Sequence, residues 1–362
     1  MKKSIGIITN ASPDSGVGKR AHEIFSRLPM SNDLEFHNVF LDGSHNMLSI
    51  DGKKTTEIAA LPGILNSKSI SWLRLAKKIP QFNGYDISNQ SLSFIAKTHQ
   101  PSIITVHDVI ERTHPQSAGA AFLNRYLMSG IPHARHIVAV SEYVKRTIID
   151  AYNITPEYIT VIYNGVDKKL FFPDTKKKQA SEKGPVILFV GSEHPRKNLK
   201  TALQVIKQLQ THYPNILLVK VGDPGLVEGR REMLRLIDEY QLQSHVHVLG
   251  KVSNEQLHEL YQSADVLLMP SYFEGFGMPI IEAMASGCPV VCSNTTSLPE
   301  IAGDAAILCD PQDASSFTDA IQRIISNENM RNEYIEKGLE RASLFSWNTA
   351  AQQTYELYKK YL

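Results

Sequence analysis

Two acidic residues flank a glycine-rich turn in the second half of the chain. Glu274 and Glu282 are eight residues apart, around the sequence Gly275-Phe276-Gly277. A strand pattern precedes this turn and a helix pattern begins near Pro279, so backbone N–H groups of the turn would face an anion. The two carboxylates could accept hydrogen bonds from the hydroxyl groups of a sugar or a ribose, whereas they would repel a phosphate. A purely structural interpretation, carboxylates favoured near a helix start, explains Glu282 better than Glu274.

Two adjacent cations stand in another loop. Arg196 and Lys197 belong to the sequence GSEHPRKN at 191–198, directly after an apolar strand pattern. A guanidinium can bind a diphosphate in bidentate fashion, and an ammonium can add a point charge. A solvated basic loop is the alternative. Ligands of open α/β sheets lie beyond the carboxyl ends of the strands, which favours a site here.

A pair of glycines lies near the start of the chain. Gly16 and Gly18 follow the first strand pattern and precede a helix predicted over 22–28. Glycines let backbone N–H groups approach a phosphate. A P-loop is excluded, because it would need glycine at position 13 and serine or threonine at position 20, where the chain has proline and arginine.

The same glycines also fit a dinucleotide-binding fingerprint. Gly16, Gly18 and Ala21 match its spacing, but residues 10–15 separate the strand pattern from the first glycine. A structural turn explains the pair nearly as well.

A histidine occupies a similar position after another strand pattern. His107 is followed by Asp108 at the end of the apolar run 103–106. A single histidine is more often a structural residue with satisfied hydrogen bonds. Its place at a strand end makes a functional residue equally plausible.

The elements that must position these residues alternate between strand and helix. Short apolar runs predict strands at 5–9, 35–41, 102–107, 136–140 and 158–162, and then at 186–190, 216–221, 246–249, 266–269, 289–292 and 306–308. Helical patterns such as 199–212 and 230–240 lie between most of them. This alternation predicts an α/β fold with two doubly wound, Rossmann-like domains.

The domain boundary is predicted from a basic, proline-containing stretch at 167–185. It separates an N-terminal domain, 1–168, from a C-terminal domain, 169–344. A final helix, about 345–362, has no strand to follow and is expected to cross back to the first domain.

Composition excludes several classes of protein. The 362 residues are 42% hydrophobic and 21% charged, with a net charge of +1, so the chain can bury sizeable cores and has no overall field to attract nucleic acid. Three cysteines without ligand-like spacing argue against a disulfide scaffold or a zinc site. The apolar run at the N-terminus is too short for a secretory signal, and we expect a cytoplasmic protein.

A basic amphipathic helix is predicted over 64–80. Apolar residues including Trp72 and Leu75 share one face, while Arg74, Lys77 and Lys78 point the other way. A surface helix packed on its own domain is the simpler interpretation. Contact with an anionic membrane face or with a lipid-linked substrate is the alternative.

Taken in order, these motifs closely resemble the family 4 retaining glycosyltransferases, which have two facing doubly wound domains in the GT-B architecture. The resemblance covers almost the whole chain. It rests on Ser15-Gly16-Val17-Gly18, Thr105-Val106-His107-Asp108, the segments 137–142 and 161–167, Phe189-Val190-Gly191 with Arg196-Lys197-Asn198, Gly250-Lys251-Val252, and the segment 274–290.

This resemblance implies a role for each matching residue of the second domain. Arg196 and Lys197 would neutralise the departing diphosphate. Glu274, with the backbone of Gly275, Phe276 and Gly277, would hold hydroxyls of the transferred sugar. Glu282 would bind the nucleotide ribose, and Lys251 and Val252 would lie beside the base.

The first domain would bind the acceptor. Gly16 and Gly18 would let its first loop approach the diphosphate, and His107 would face the sugar and the acceptor. The family resemblance implies retention of the anomeric configuration. The chain contains no Asp-x-Asp sequence to bridge a metal to the diphosphate, so we expect no cofactor and no metal requirement beyond the nucleotide-sugar co-substrate.

The expected reaction is transfer of a hexosyl group, mannosyl or glucosyl, to a hydroxyl of a glycan or lipid-linked acceptor. A synthase acting on a small phosphorylated sugar is an alternative, as is a non-catalytic nucleotide-sugar-binding protein. A nicotinamide-dependent oxidoreductase is favoured only by Gly16, Gly18 and Ala21.

Overall fold

The computed structural model describes residues 2–12, 15–41, 54–58, 68–113, 118–174 and 184–362. The chain divides into two compact units. Unit 1 is Met1–Gly165 together with Trp347–Leu362, and unit 2 is Val166–Ser346. The sequence predicts the two boundaries between the units at 168/169 and near 345, within three residues of those in the structure. Much of the stretch from which the boundary was predicted, residues 175–183, lies outside the described residues.

The described part of unit 1 contains a parallel seven-stranded sheet. Its strands are β1 (Lys3–Thr9), β2 (Leu34–Phe40), β3 (Lys54–Glu57), β4 (Gly84–Ile87), β5 (Ser102–Val106), β6 (His136–Ala139) and β7 (Ile159–Val161), in the spatial order β3-β2-β1-β4-β5-β6-β7. The strand predictions missed β3 and β4. Both have only four residues, and their sequences, KTTE and GYDI, include charged residues or glycine, which are depleted in strands.

Helices connect these strands and cover the sheet. They are α1 (Gly16–Arg27), α2 (Lys68–Leu75), α3 (Ile110–Thr113), α4 (Ala118–Leu127) and α5 (Glu142–Tyr152). The 3-10 turns Ala76–Lys78, Gln90–Lys97, Ile131–His133 and Pro156–Tyr158 complete the connections.

Helix α1 begins six residues before the predicted start at position 22. Ser15 caps it by accepting a hydrogen bond from the Gly18 amide at 3.1 Å. The two glycines therefore lie in the first turn of the helix and not in a preceding loop. Gly18 is required there, because a Cβ would lie 1.9 Å from the Ser12 carbonyl oxygen, whereas a Cβ at Gly16 would meet nothing within 4 Å.

The helix predicted over 64–80 is shorter in the structure. Residues 64–67 lie outside the described residues, α2 ends at Leu75, and the 3-10 turn Ala76–Lys78 follows. The amphipathic pattern is present: Leu75 is buried, while Arg74, Lys77 and Lys78 are exposed.

The described part of unit 2 contains a parallel six-stranded sheet. Its strands are β8 (Val186–Val190), β9 (Leu217–Val221), β10 (Val246–Gly250), β11 (Val266–Met269), β12 (Val290–Ser293) and β13 (Ala306–Cys309), in the order β10-β9-β8-β11-β12-β13. All six were predicted. Strands of parallel sheets are covered on both faces, and they read as short continuous apolar runs.

The helices of unit 2 alternate with its strands. They are α6 (Leu199–Leu209), α7 (Val227–Glu239), α8 (Asn254–Ser263), α9 (Met278–Ala285), α10 (Leu298–Ala302), α11 (Ala314–Ser326) and α12 (Glu328–Ser343), and the chain then returns to unit 1 through α13 (Trp347–Tyr361). No helix among the described residues is long and apolar enough to span a membrane.

Both sheets have the strand order of doubly wound folds. The direction of winding reverses between β1 and β4 in unit 1 and between β8 and β11 in unit 2. In such sheets the crevice beyond the carboxyl ends of the two strands at the reversal is the usual ligand site. The predicted α/β class with two Rossmann-like domains is confirmed.

Candidate functional site

The loops after β8 and β11 meet at the reversal point of unit 2. The first contains a 3-10 turn, Pro195–Lys197, and the Arg196 carbonyl accepts a hydrogen bond from the Tyr272 amide at 2.8 Å. The sequence places Arg196–Lys197 and Glu274 about 80 residues apart. The parallel topology brings them together, because neighbouring parallel strands end at the same edge of a sheet.

Glu274 forms ion pairs with both predicted cations. Its Oε1 lies 2.6 Å from Lys197 Nζ, and its Oε2 lies 3.4 Å from Arg196 Nη1. The hydroxyl of Ser271 also donates to Oε1 at 2.9 Å. The Glu274 and Lys197 side chains are 8% and 12% exposed, whereas that of Arg196 is 31% exposed. The guanidinium is thus the more accessible of the two cations.

The charges of this cluster do not cancel. Burial alone would raise the pKa of Glu274, but Lys197 and Arg196 outweigh it and lower that pKa, so the carboxylate is ionised. Two cations and one anion leave one positive charge at the sheet edge. An anionic group is therefore the ligand that this edge favours.

Hydrogen bonds to the loops after β12 and β13 help to hold the cluster in place. Asn198 adopts a left-handed conformation and its amide donates to the carbonyl oxygens of Pro270 and Pro311, at 2.9 and 2.7 Å. The Glu274 amide donates to the Thr296 hydroxyl at 3.2 Å, and the Ser297 hydroxyl donates to the Glu274 carbonyl at 2.9 Å. Sequence reasoning missed Ser271, Thr296 and Ser297, since isolated hydroxyl residues carry no distinguishing pattern.

The glycine-rich turn itself has a specific backbone geometry. Gly277 caps α9 with φ of +100°, and a Cβ there would lie 2.9 Å from a methyl carbon of Leu298. Phe276 is buried and packs edge-on against Phe345, with ring centroids 5.8 Å apart. The Phe276 side chain thus anchors the turn, in which Gly275 is half-buried and Gly277 is buried.

The second carboxylate, Glu282, is hydrogen-bonded to Tyr261 and not to the cations of this cluster. It is in the middle of α9, buried, and its Oε2 accepts from the Tyr261 hydroxyl at 3.3 Å. The alternative interpretation, that Glu282 is a carboxylate favoured near the start of a helix, is wrong, because α9 has no acidic residue in its first turn.

Lys251 and Val252 directly follow β10. Lys251 is exposed and Val252 is half-buried. Gly250, the last residue of β10, accepts a hydrogen bond from the amide of Gly222 in the loop after β9, at 2.7 Å. The predicted strand end at 249 differs by one residue, because the pairing with β9 is irregular between Val248 and Gly250.

A second ion cluster supports the loop that carries the cations. Glu193 is buried and accepts from Lys220 Nζ at 2.7 Å, from Arg230 Nε at 2.6 Å and from Arg230 Nη2 at 2.7 Å. His194 accepts a hydrogen bond at Nδ1 from the Arg196 amide, and burial together with Arg196 and Lys197 lowers its pKa. The loop is therefore held from both sides. Sequence reasoning singled out neither Lys220 nor Arg230.

In unit 1 the candidate residues also lie at strand ends near the reversal point. The start of α1, with Gly16 exposed, follows β1. His107 follows β5 and is tied to the loop after β4: its amide donates to Gln90 Oε1, and its Nε2 lies 3.1 Å from the Ser88 carbonyl oxygen. A carbonyl only accepts hydrogen bonds, so Nε2 carries the proton and Nδ1 is the acceptor of the ring.

Burial and the nearby Arg20 lower the pKa of His107 to about 3, although the Ser88 carbonyl raises it. The imidazole is neutral at ordinary pH. It can act as a hydrogen-bonding group, but it cannot serve as a cationic one.

No group of three or more His, Cys, Asp or Glu side chains within the described ranges is arranged to hold a metal ion. The three cysteines are buried and form no disulfide with one another. The geometry thus defines an α/β protein of two doubly wound units, with a cationic, carboxylate-containing site at the carboxyl edge of the second sheet.

Comparison with known families identifies this class more closely. Residues 171–341 match the model of the glycosyl transferases group 1, and residues 61–170 match that of glycosyltransferase family 4. The chain belongs to the family 4 glycosyltransferases and has the GT-B fold, which confirms the resemblance found in the motifs.

Individual relatives agree with this assignment. The chain is 27% identical to O-antigen chain mannosyltransferase B of Escherichia coli, over 96% of each sequence. Among solved structures it is similar to sucrose-phosphate synthase from Thermosynechococcus elongatus, with a TM-score of 0.80 and 21% identity over 99% of both chains. It is also similar to Anabaena HepE in complex with UDP and glucose, with a TM-score of 0.79 and 18% identity over 99% of both chains.

Proposed function

We propose that this glycosyltransferase takes its sugar from a nucleoside diphosphate sugar that binds at the carboxyl edge of the second sheet. The observation that carries the proposal is the cluster of Arg196, Lys197 and Glu274, with one positive charge in excess at a mostly buried edge. That excess suits a diphosphate, and the glycine-rich turn after Glu274 suits a sugar bearing hydroxyl groups.

The proposed chemistry follows from where charge develops. Glycosyl transfer passes through an oxocarbenium-like state, while negative charge gathers on the leaving diphosphate. Arg196 and Lys197, held in advance by Glu274 and Asn198, oppose that charge without needing to reorganise. A positive charge already fixed at this position supports a metal-independent reaction. Retention of the anomeric configuration is proposed from the family resemblance.

The remaining contacts of the proposed donor site are with the sugar, the ribose and the base. Glu274 and the Gly275–Gly277 backbone hold hydroxyls of the transferred sugar. Glu282 accepts from the ribose, and Lys251 with Val252 lies beside the base. The Tyr261–Glu282 hydrogen bond supports the ribose assignment, because it fixes the carboxylate in an otherwise apolar helix.

In unit 1 we assign the start of α1 to the diphosphate and His107 to the sugar and acceptor. The N–H groups at an exposed helix N-terminus suit an anion. A neutral His107 avoids repulsion with a forming oxocarbenium ion and retains Nδ1 as an acceptor for a substrate hydroxyl.

The similarity to an O-antigen chain mannosyltransferase favours a mannosyl donor and a role in polysaccharide or lipid-linked glycan assembly. A glucosyl donor is the alternative; HepE, which is similar in fold, was solved with UDP and glucose. The acceptor is a hydroxyl group of a growing glycan, and the enzyme acts in the cytoplasm.

A panel of nucleoside diphosphates and their sugars, each with and without EDTA, tests the donor. A ligand present at 100 times its dissociation constant stabilises the folded protein by about 2.7 kcal/mol, which is visible as a shift of the thermal midpoint. We expect one nucleotide to stabilise the protein equally with and without EDTA. An effect abolished by EDTA would refute metal independence, and no stabilisation by any nucleotide would refute the donor site.

We also propose peripheral contact with an anionic membrane face through residues 64–80. Arg74, Lys77 and Lys78 are exposed while Leu75 is buried, so the described part of this segment presents its charges to solvent. Changing the three cations to glutamate should abolish sedimentation with vesicles of anionic lipid but not the donor-induced thermal shift. Undiminished sedimentation would contradict the proposal.

A further inference from the structure

A buried arginine in unit 1 belongs to none of the groups assigned above. Arg20 lies on α1, one turn after Gly16, and is 3% exposed. Its Nη1 donates to Asn164 Oδ1 at 2.7 Å, and Asn164 is itself 3% exposed. Arginine is rarely buried to this degree unless it is paired, because removing its charge from water is costly.

The hydrogen-bond acceptor, Asn164, lies close to the boundary between the two units. Asn164 is the penultimate residue of the first segment of unit 1, since the chain passes into unit 2 after Gly165. Arg20 and Asn164 are 144 residues apart in the sequence. One hydrogen bond thus joins the beginning of α1 to the segment through which the chain leaves unit 1.

The surroundings of Arg20 extend the connection to the C-terminal helix. Arg20 and Asp86 of β4 line the same small cavity, of about 10 Å³, together with Thr354 of α13. The hydroxyl of Tyr358, a fully buried residue of α13, donates to Asp86 Oδ2. Asp86 Oδ1 accepts no hydrogen bond from any described residue. The second segment of unit 1, which begins at Trp347, is therefore joined to the same polar cluster.

Burial opposes both charges of this cluster and outweighs the attraction between them. Desolvation lowers the pKa of Arg20 to about 10, although Asp86 and Tyr358 raise it, so the guanidinium stays charged at neutral pH. Desolvation likewise raises the pKa of Asp86 to about 6, against the effects of Tyr358 and Arg20. The cation also acts on His107, whose pKa it lowers.

We propose that Arg20 is a positioning residue for the donor site, which holds the first turn of α1 against the segment that leads out of unit 1. This inference rests on the proposed function, because the first turn of α1 is where the donor diphosphate is expected to bind. Arg20 does not itself touch the substrate. Its effect on donor binding passes through the glycine-containing turn and through Asn164.

Three substitutions test the connection. Arg20→Lys keeps the positive charge but loses the planar fork of donors. Asn164→Ala removes the acceptor. Arg27→Lys is the matched control, since Arg27 lies on the same helix, two turns further, and pairs with Glu23 near the surface.

The first measurement is amide hydrogen exchange on the full-length proteins without ligand, which is independent of any activity. We expect Arg20→Lys and Asn164→Ala each to accelerate exchange in the first turn of α1 and in residues 160–166, and Arg27→Lys to leave both segments unchanged. Unchanged exchange at these two segments in a folded Arg20→Lys protein would overturn the connection.

The second measurement is calorimetric affinity for UDP, GDP, ADP, CDP and dTDP. Both single variants should bind the preferred nucleotide about tenfold more weakly than the wild type, and the double variant should lose no more than either single one. Affinities within twofold of wild type, with only the thermal midpoint lowered, would show a merely structural residue. A wild type that binds none of the five would refute the proposed donor site, while hydrogen exchange would still decide whether Arg20 joins the two segments.

Discussion

Replacing Lys197 by methionine separates its contribution to catalysis from its contribution to stability. The change keeps an unbranched apolar stem as far as the Cε position but removes the ammonium that lies 2.6 Å from Glu274 Oε1. If Lys197 opposes charge on the leaving diphosphate, losing it should slow turnover by about 10²–10³, equivalent to roughly 3–4 kcal/mol.

The loss of stability can be judged from the neighbours of Glu274. Breaking a buried ion pair usually costs about 3–5 kcal/mol, because an uncompensated charge remains. Here Arg196 at 3.4 Å and Ser271 at 2.9 Å still hold the Glu274 carboxylate. We therefore expect a smaller loss of about 2–3 kcal/mol in the free energy of unfolding.

The double variant Lys197→Met/Glu274→Gln makes the test decisive. The double variant has neither the Lys197 ammonium nor the Glu274 carboxylate, so it buries no unpaired negative charge. Most of the lost stability should therefore return, while turnover stays at least about a hundredfold below that of the wild type. Urea titration and steady-state transfer from the preferred nucleotide sugar measure the two effects. Arg235→Met, which breaks exposed pairs with Glu232 and Glu239, is the control and should change neither. Turnover that returned together with stability would refute the catalytic assignment.

Three further outcomes follow from individual contacts. Gly18→Ala should lower the free energy of unfolding by about 1–3 kcal/mol, because its Cβ would meet the Ser12 carbonyl oxygen. Gly16→Ala should lower it by less than about 1 kcal/mol, because a Cβ at that position lies in open space. Equal losses for the two variants in thermal denaturation would contradict the placement of α1. The folded-state pKa of His107, about 3, lies below the ordinary 6.5, so the unfolded chain binds the extra proton and stability should fall as pH drops from 6.5 towards 3. The thermal midpoint of His107→Gln should fall less than that of wild type over this range, and identical pH profiles would count against the shift. Glu282→Gln should weaken nucleoside diphosphate binding about tenfold, as measured by calorimetry. Tyr261→Phe keeps the Glu282 carboxylate and should weaken binding less. Equal affinities of Glu282→Gln and wild type would argue against a ribose contact.

The strands of unit 2 were predictable because they are short, mostly apolar runs, and all six appear in the structure. Strands β3 and β4 were not predictable in the same way. Their polar or glycine-containing sequences enter the sheet through pairing with β2, β1 and β5, which no local pattern records. The start of α1 was misplaced for a related reason: glycine disfavours a helix interior, and the close approach of Gly18 to Ser12 is a tertiary contact.

For the candidate site, the sequence alone identified the chemical groups and the protein family. The groups follow predicted strands and match known motifs; they are the cations at 196–197, the carboxylates at 274 and 282, and the glycine-containing segments. Only the tertiary structure decided that Lys197 and Arg196 pair with Glu274 and that Glu282 bonds elsewhere, to Tyr261. It alone revealed that Arg20 is buried against Asn164. The physical reason is that periodicity and propensity are properties of neighbours along the chain, whereas ion pairing and desolvation depend on which distant segments the sheet places side by side.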